Sequence, residues 1–306
     1  MRALVVGGTG FIGTHLCREL NERGHDVTAL SRSPGDAAAL PEDVGTAMGD
    51  VTAYDSIEGS FAGAEVVVNL VALSPLFRPK GGNEAHYRVH RDGTENVVRA
   101  AETHGVRRLV QLSALGADPD GDTAYVRSKG QAEAHVRESE LEWVIVRPSV
   151  VFGDGGEFVR YTKRLATPYV TPLPGGGTTR FQPIWVGDLA PMIADATEGS
   201  DGDHDGETYE IGGPEVLTLA DVARLAHAAD GRPVSVVSVP MGLAEIGLRS
   251  LDRVPGSVLD AVPGVPRMGS DQYRSLQFDN TVADNDAAAF GVEESGLRRL
   301  SAYLGV

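Results

Sequence analysis

The sequence has 306 residues, 42% of them hydrophobic, so the chain can bury one large core or two modest ones, and wholesale disorder is excluded. Its formal net charge of −16 leaves no basic surface for a phosphate backbone, which excludes nucleic acid as an expected partner. Only three of the 27 basic residues are lysines, a composition that predicts adaptation to high salt, although a GC-rich genome would also replace lysine by arginine.

Cysteine content and apolar run lengths indicate the compartment. The single cysteine, Cys17, allows no intramolecular disulfide and is typical of a reducing cytoplasm. The chain enters an apolar strand at once with "MRALVVGG", so we expect no signal or transit segment. Apolar runs such as "AEVVVNLVAL" are shorter than the roughly 20 residues that span a bilayer. We therefore expect a cytoplasmic protein that does not span a membrane.

Short apolar runs alternate with helical patterns through the first half of the chain. Strands are predicted at "ALVVG", "DVTALS", "EVVVNLVAL", "RRLVQLSA" and "EWVIVRPS", with a weaker one near "GTAMGD". Helices are predicted at about 11–23, 54–61, 83–104 and 122–138, and Gly24 and Gly105 are expected to end two of them. This alternation predicts an α/β fold with a doubly wound parallel sheet and helices on both faces.

The composition of the sequence changes after "RPSVVFGDGG", where Pro and Gly become frequent. Short strands follow, with helices predicted near 187–198, 218–230 and 293–303. We expect a first domain over residues 1–150, to which 184–212 returns. We expect a smaller α/β lobe over 151–183 and 213–306.

Three glycines at three-residue spacing join the first strand to the first helix in "ALVVGGTGFIGTHLCREL". Gly7 permits a tight turn, Gly10 lets the backbone approach a pyrophosphate, and Gly13 lets helix and strand pack closely. The start of the helix adds free N–H groups and the positive end of its dipole. In this strand–turn–helix context the pattern predicts a Rossmann-type dinucleotide site rather than a glycine-rich turn without a ligand.

The end of the second strand indicates which dinucleotide binds. NAD sites usually place Asp or Glu there, whereas this strand ends in Ser31, Arg32 and Ser33. A guanidinium suits a 2′-phosphate, so NADP(H) is favoured over NAD(H), with a solvated surface arginine as the alternative. Asp50 follows the third strand and is a candidate for the adenine edge, with a turn-forming Asp as the alternative.

Tyr125 and Lys129 lie four residues apart in the predicted helix at 122–138 and therefore share one of its faces. A phenol with a pKa of about 10 is a poor base at neutral pH, and a nearby cation would stabilise its phenolate. Such a pair suits proton transfer. The alternative is an ordinary aromatic residue beside a solvated charge.

The chain resembles the short-chain dehydrogenase/reductase superfamily in its extended or atypical branch. The residues that carry the resemblance are "GGTGFIG", Asp50-Val51, "NLVAL", "GTENVVRAA", "LSALGA", "YVRSK", "VRPSVVFG" and "FQPIWVGDLA". These residues run from residue 1 to about 215. The last 90 residues match the superfamily only in their general sequence pattern. The sequence looks most like the group related to the NADPH-binding accessory subunit of respiratory complex I. That group also holds proteins labelled as nucleoside-diphosphate-sugar epimerases.

The resemblance implies a role for each of three residues. Tyr125 would be the general acid/base, Lys129 would stabilise its phenolate and bind the nicotinamide ribose, and Ser113, twelve positions before Tyr125, would bind the substrate oxygen. The cofactor would contact Gly7, Thr9, Gly10, Phe11, Ile12, Gly13, Ser31, Arg32, Ser33, Asp50, Val51, Val71, Ala72, Lys129, Pro148 and Val150. The family often carries Asn three residues before its Gly-Thr pair, and His90 stands there instead, which puts a proton relay through that side chain in doubt.

Cationic residues near the predicted cofactor edge indicate an anionic or phosphorylated substrate. Arg78, Lys80 and Arg88 follow the fourth strand. Arg180 and Gln182 lie at the start of the smaller lobe, and ordinary loop charge is the alternative for each residue.

Metal binding and partner contacts have weaker signals. No Cys/His/carboxylate cluster has metal-ligand spacing, and "DGDHDG" (201–206) lacks the later Glu and the helix of an EF-hand, so no metal is expected. His86, His90 and His104 are expected to pack in helices or lie at the surface. The helical pattern at 240–254 would contact a partner or simply pack.

The sequence thus predicts an NADP(H)-dependent oxidoreductase or epimerase that moves a hydride at the nicotinamide while Tyr125 handles the proton. Its small-molecule substrate would be a carbonyl, an alcohol or a nucleotide sugar. The alternative is a non-catalytic NADPH-binding subunit or sensor. A homodimer or a respiratory-complex partner is compatible with either function.

Overall fold

Seven parallel strands form the central sheet of the computed structural model, which describes residues 1–33, 39–199, 203–240, 242, 270–275 and 277–306. They are β1 (Arg2–Val6), β2 (Asp26–Ser31), β3 (Gly45–Met48), β4 (Val66–Asn69), β5 (Arg108–Leu112), β6 (Glu142–Pro148) and β11 (Glu207–Ile211). Their spatial order is β3-β2-β1-β4-β5-β6-β11, and each neighbouring pair is parallel. The strand order reverses between β1 and β4, where doubly wound folds bind their ligands. The predicted fold class is confirmed.

Helices cover both faces of this sheet. The helices of the described chain, including those of its later part, are α1 (Phe11–Glu22), α2 (Tyr54–Ile57), α3 (Glu84–His86), α4 (Gly93–Thr103), α5 (Ala124–Arg137), α6 (Phe158–Leu165), α7 (Val186–Glu198), α8 (Leu219–Ala228), α9 (Ser270–Ser275) and α10 (Leu300–Leu304). Gly24 and Gly105 lie just past α1 and α4 with φ angles of 83° and 65°, as expected for glycines that end helices. No helix in the described part of the chain is long and apolar enough to cross a bilayer.

Some helices differ from the sequence-based prediction. The segment predicted as one helix at 83–104 contains a π-helical turn, Tyr87–Asp92, between α3 and α4. The helix predicted at 293–303 is wrong, because the chain forms a 3₁₀ turn at Glu294–Gly296 and α10 only from Leu300. Between them the N–H of Arg298 donates to Asp188 at 2.7 Å, so a tertiary acceptor takes a donor that a continuous helix would need. Helix α6 was not predicted.

Apolar side chains of β1 alternate between the two faces of the sheet, as the period of a strand requires. Val5 belongs to the cluster that α1 and α7 complete with residues such as Leu16 and Ile193. Leu4 belongs to the opposite cluster, which α4 completes with residues such as Val97. Both faces of the sheet are therefore buried, as in other doubly wound folds.

Three two-stranded sheets are found among the described residues of the later part of the chain. They are β7 (Val151–Phe152) with β10 (Ile184–Trp185), β9 (Arg180–Phe181) with β12 (Leu217–Thr218), and β8 (Tyr169–Pro174) with β13 (Val234–Val239). A third apolar cluster includes Phe158, Leu173, Val222 and Leu300. The domain boundaries stay a prediction, and the helix predicted at 240–254 lies outside the described residues apart from positions 240 and 242.

Candidate functional site

The turn between β1 and α1 lets the backbone approach a ligand closely. Gly7 has a φ of 86°, in the left-handed region that favours glycine, and its N–H donates to the carbonyl of Leu30 at 2.8 Å. A Cβ at Gly13 would lie 2.3 Å from the carbonyl oxygen of Gly7, so only glycine allows α1 to pack this tightly. Helix α1 has no acidic residue in its first turn and no side-chain cap at Gly10. Its first N–H groups and positive dipole end are therefore available to an anion.

Thr9, Phe11 and Ile12 are half-buried at this turn. The ring of Phe11 contacts a second glycine-rich segment, 153–156, because a Cβ at Gly156 would come within 2.9 Å of Phe11 Cζ. That segment therefore lies against the start of α1.

The residues after β2 lie at the edge of the sheet where a doubly wound fold binds the adenosine of a dinucleotide. Ser31 Oγ donates to the carbonyl of Ser33 at 3.2 Å, which closes a small turn around Arg32. Arg32 is exposed, and its guanidinium has no hydrogen bond or ion pair to any residue that the structure describes. It is available to a ligand phosphate.

Asp50 is held by its own turn after β3. Its Oδ1 accepts from the N–H and the hydroxyl of Thr52 at 2.9 and 2.8 Å, which matches the turn-forming alternative. Burial opposes ionisation of this carboxyl group, but the hydrogen bonds and the charges of Arg32 and Arg88 outweigh burial and lower its pKa. Val51 is buried beside it. Two arginines without ion pairs among the described residues therefore lie near Asp50.

The segment after β4 lies beside the glycine turn. Val71 is half-buried, and its Cγ2 would be 3.4 Å from a Cβ at Gly7. Ala72 is exposed. The next N–H, that of Leu73, donates to Nε2 of His90 at 2.9 Å and so fixes this segment to the π-helical turn.

Helix α5 brings Lys129 to the carboxyl end of β5. The helix begins after Thr123, whose Oγ1 accepts the N–H of Val126 at 3.2 Å. Lys129 is 2% exposed, and its Nζ donates to the carbonyl of Leu112 at 2.9 Å. Ser113 follows directly, and its buried Oγ has no hydrogen-bond partner in the described part of the chain. The Lys129-bearing face of α5 and Ser113 thus meet at the edge of the sheet where ligands bind.

Burial shifts the pKa values of both members of the predicted pair. Tyr125 is half-buried, and burial raises the pKa of its phenol to about 12. Burial lowers the pKa of the Lys129 amine to about 8, against the opposing effect of the Glu133 charge. At neutral pH Tyr125 therefore keeps its proton and most of the Lys129 amines are charged. No hydrogen bond joins the two side chains in the described structure.

His90 connects the π-helical turn to two other segments. Because its Nε2 accepts from an N–H, the ring proton must be on Nδ1, which contacts Ser128 Oγ at 2.9 Å. The Ser128 hydroxyl donates in turn to the carbonyl of Tyr125 at 2.9 Å. Burial and the charge of Lys129 hold the pKa of His90 well below its usual value. His90 is thus a neutral structural link with both ring nitrogens engaged, and it has none free for a proton relay.

Two imidazole rings pack against the ring of Tyr125. The centroid of His90 is 5.4 Å and that of His86 is 5.7 Å from the Tyr125 centroid, both nearly perpendicular. Both histidines are 1% exposed, in line with the helix-packing role expected for them. His104 instead contacts Glu58 at 2.6 Å.

The backbone around Pro148 and Val150 is already hydrogen-bonded within the protein. The N–H of Val150 donates to Asn280 Oδ1 at 2.9 Å, and its carbonyl accepts from Ile184 at 3.0 Å. The carbonyl of Pro148 accepts from Leu115 at 3.3 Å. Cofactor contacts at Pro148 and Val150 stay a prediction. Asn280 was missed from the sequence, because its partners lie about 130 positions away.

The cationic and polar residues expected on the substrate side differ in their hydrogen bonds and in their exposure. Arg180 donates to Asp279 at 2.8 Å, and Gln182 donates to the carbonyl of Gly213 at 2.9 Å, so both side chains brace the protein itself. Arg78 is half-buried and Lys80 exposed.

Two aromatic rings join the loop after β4 to α6. The ring of Phe77 meets that of Tyr161 edge-on at 4.5 Å, so the loop after β4 contacts α6. The buried hydroxyl of Tyr161 has no partner among the described residues. Those residues also contain no group of three His, Cys, Asp or Glu that would hold a metal.

These surroundings fit a dinucleotide cofactor on structural grounds. The close approach of Gly13 to the Gly7 carbonyl packs the start of α1 against the turn, and the uncapped N–H groups there suit a pyrophosphate. Ser113, whose buried hydroxyl has no partner among the described residues, directly follows Leu112, whose carbonyl accepts from the Lys129 amine.

One family model and several known proteins are similar to this sequence. A family model described as NAD(P)H-binding matches residues 7–169. NADH dehydrogenase (ubiquinone) 1 alpha subcomplex subunit 9, mitochondrial, of Arabidopsis thaliana is 31% identical over 291 residues, which cover 92% of this chain and 71% of that protein. The NAD(P)H azoreductase of Xenophilus azovorans is 28% identical over 85% of this chain and 84% of its own length.

A solved structure supports the fold assignment. The UDP-glucose 4-epimerase of Thermus thermophilus, in complex with NAD, aligns with a TM-score of 0.66 at 23% identity, covering 90% of this chain and 99% of that one.

Proposed function

We propose that this chain, which belongs to the NAD(P)H-binding family and to the extended short-chain dehydrogenases/reductases near the complex I accessory group, reduces a carbonyl substrate with NADPH. The observation that carries the proposal is the hydrogen bond from Lys129 Nζ to the carbonyl of Leu112. It brings the helix face that bears Tyr125 and Lys129 to the residue before Ser113. With Tyr125 and Lys129 four residues apart on α5, this contact would put a proton donor, a cation and a hydroxyl near the carboxyl end of one parallel strand.

The raised pKa of Tyr125 supports a role as the proton donor in carbonyl reduction. With a pKa of about 12, the phenol is protonated at neutral pH and can give its proton to a carbonyl oxygen. When bound, the nicotinamide supplies the hydride for the carbonyl carbon. The azoreductase relative is also named for a reduction.

Ser113 and Lys129 support the proton transfer in different ways. The buried Ser113 hydroxyl lacks a partner among the described residues. A substrate carbonyl oxygen would accept its hydrogen bond and remove the cost of burying an unpaired hydroxyl. The charged Lys129 amine would stabilise the negative charge left on Tyr125 when the proton departs. Its bond to Leu112 holds the ammonium at the strand end.

Arg32 supports the preference for NADP(H) over NAD(H). It is exposed and carries no ion pair with a described residue. Arg88 is a second arginine whose charge acts on Asp50. A 2′-phosphate would accept from such guanidinium groups, whereas a 2′-hydroxyl gains less from a positive charge.

Turnover by the purified protein tests this function. The wild type should oxidise NADPH in the presence of a panel of ketones, β-keto esters, quinones and UDP-glucose, followed by the absorbance of the reduced nicotinamide. Tyr125→Phe should bind NADPH as tightly and slow the reaction by about 100-fold or more, since general acid catalysis is worth that much. Equal rates for the two proteins would contradict the role of Tyr125.

A non-catalytic NADPH-binding subunit is the second candidate. The observation that favours it is the identity of 31% to a complex I subunit over 92% of the chain. In that case NADPH would bind tightly, no panel compound would oxidise it, and the nucleotide would stabilise contacts between residues 1–150 and the smaller lobe. Tyr125→Phe would then have no measurable effect.

A further inference from the structure

A carboxylate from the C-terminal part of the chain binds the start of α5, immediately before Tyr125. Asp271 of α9 is 8% exposed, and its Oδ2 accepts from the N–H of Ala124 at 3.1 Å and from Nδ2 of Asn83 at 2.9 Å. These partners lie 147 and 188 positions away in the sequence. One carboxylate thus joins α9 to the first turn of α5 and to the residue that precedes α3.

The contact differs from a surface ion pair. The ion pair that Asp271 makes within the described chain, to Arg274, is 3.7 Å long, and the arginine is exposed, so it contributes little. The shorter bonds go to neutral donors, one of them an N–H in the first turn of α5 that has no partner inside the helix. Thr123 caps the N–H of Val126. Thr123, directly before α5, and Asp271, far along the chain, therefore both cap the start of α5. The helix dipole also favours a negative charge there.

This contact lies next to two of the segments that surround Tyr125. Ala124 directly precedes Tyr125, and Asn83 lies three residues before His86, whose ring packs edge-on against Tyr125. Nδ1 of His86 is buried and has no hydrogen-bond partner in the described structure, so packing holds this ring in place. Loss of the Asp271 carboxylate would remove one of the two caps of α5 and the restraint that it places on Asn83, before the His86 segment.

We propose that Asp271 is a positioning residue for proton transfer, which fixes the Tyr125 hydroxyl relative to Ser113 and so couples the C-terminal part of the chain to the site. Its carboxylate is engaged by Ala124 and Asn83, so it acts through Tyr125. The role in proton transfer rests on the proposed function, whereas the restraint on α5 does not.

Hydrogen exchange measured by mass spectrometry on the full-length protein tests the restraint without any substrate. In Asp271→Ala the amides of residues 124–127 should exchange about fivefold faster, the effect of losing one helix cap. Asp271→Asn keeps an oxygen acceptor and should stay close to the wild type. Asp221→Ala is the matched control, because Asp221 caps α8 in a capping box. It should speed exchange at the start of α8 and leave α5 unchanged.

The kinetic arm tests positioning, with NADPH and ethyl acetoacetate as probes. Asp271→Ala should lower kcat by about tenfold or more through misplacement of the acid, while the KM for NADPH changes by less than about twofold. Asp271→Asn should restore kcat, and Asp221→Ala should leave it unchanged. Should Asp271→Ala fail to fold, Asn83→Ala removes one of the two bonds and should give an intermediate loss of kcat.

Two results separate this inference from the proposed function. A folded Asp271→Ala protein with wild-type exchange at 124–127 and wild-type kcat would overturn the positioning role. A wild type that never oxidises NADPH would refute the oxidoreductase assignment and with it the kinetic role, while faster exchange in Asp271→Ala would still establish the restraint on α5.

Discussion

Replacing Lys129 by methionine should change how folding stability depends on pH. Lys129 is 2% exposed, and burial lowers the pKa of its amine from 10.5 to about 8. The unfolded chain returns the amine to water, so between these two pKa values it binds more protons than the folded protein does. The stability of the wild type therefore rises with pH through that window, and below it the folded state carries the full penalty of a buried charge.

The two pKa values set the size of the effect. The gap between 10.5 and about 8 corresponds to about 3 kcal/mol. Lys129→Met also loses the hydrogen bond to Leu112, a loss of about 1 kcal/mol that does not vary with pH. The free energy of unfolding of the variant minus that of the wild type should thus fall by about 3 kcal/mol as the pH rises from 7 to 10.5.

Urea denaturation at a series of pH values measures this difference. Lys163→Met serves as the control for removing a lysine, because the Lys163 ammonium pairs with Asp230 at the surface at 2.9 Å. The free energy of unfolding of Lys129→Met minus that of the wild type could instead stay constant within about 0.5 kcal/mol from pH 7 to 10.5. That result would refute the reasoning, since the amine would then titrate alike in the folded and unfolded chains.

Three further substitutions have direct readouts at the cofactor and substrate ends of the site. Gly13→Ala should abolish NADPH binding measured by fluorescence, because its Cβ would lie 2.3 Å from the Gly7 carbonyl, while Gly59→Ala, with nothing within 4 Å, should bind normally. Arg32→Ala should raise the Kd for NADPH about tenfold and leave that for NADH within about twofold, the loss expected for one charge-assisted phosphate contact. An unchanged ratio of the Kd for NADPH to the Kd for NADH would exclude a contact between Arg32 and the 2′-phosphate. Ser113→Ala should lower kcat/KM about tenfold or more, and wild-type kinetics would show that its hydroxyl does not bind the substrate.

Local patterns were enough to predict most of the sheet and its main helices. The apolar runs at β1 and β6 and the glycine turn at Gly7 fix strand and helix type within a few residues, because burial on both faces and backbone geometry act locally there. The helix that carries Tyr125 and Lys129 was predicted at 122–138 and is observed at Ala124–Arg137. Spacing of four residues then sufficed to place both side chains on one face.

Contacts between distant segments account for what the sequence did not reveal. Asp271 and Asn280 act through partners more than a hundred positions away, and neither has a local motif. The bond from Lys129 to the Leu112 carbonyl depends on how α5 packs on β5. The contacts of His90 in the π-helical turn likewise reach other segments, at Leu73 and Ser128. Tertiary acceptors likewise kept 297–299 out of a helix that its pattern favoured.

Transfer of deuterium from NADPH labelled at the nicotinamide C4 to a carbonyl substrate tests the central claim most directly. Products of the carbonyl panel are analysed by mass spectrometry after incubation with the wild type and with Tyr125→Phe. A wild type that yields deuterated alcohol, with a rate that drops by about 100-fold or more in Tyr125→Phe, is the predicted result. NADPH that stays bound and keeps its deuterium with every carbonyl compound would contradict an oxidoreductase.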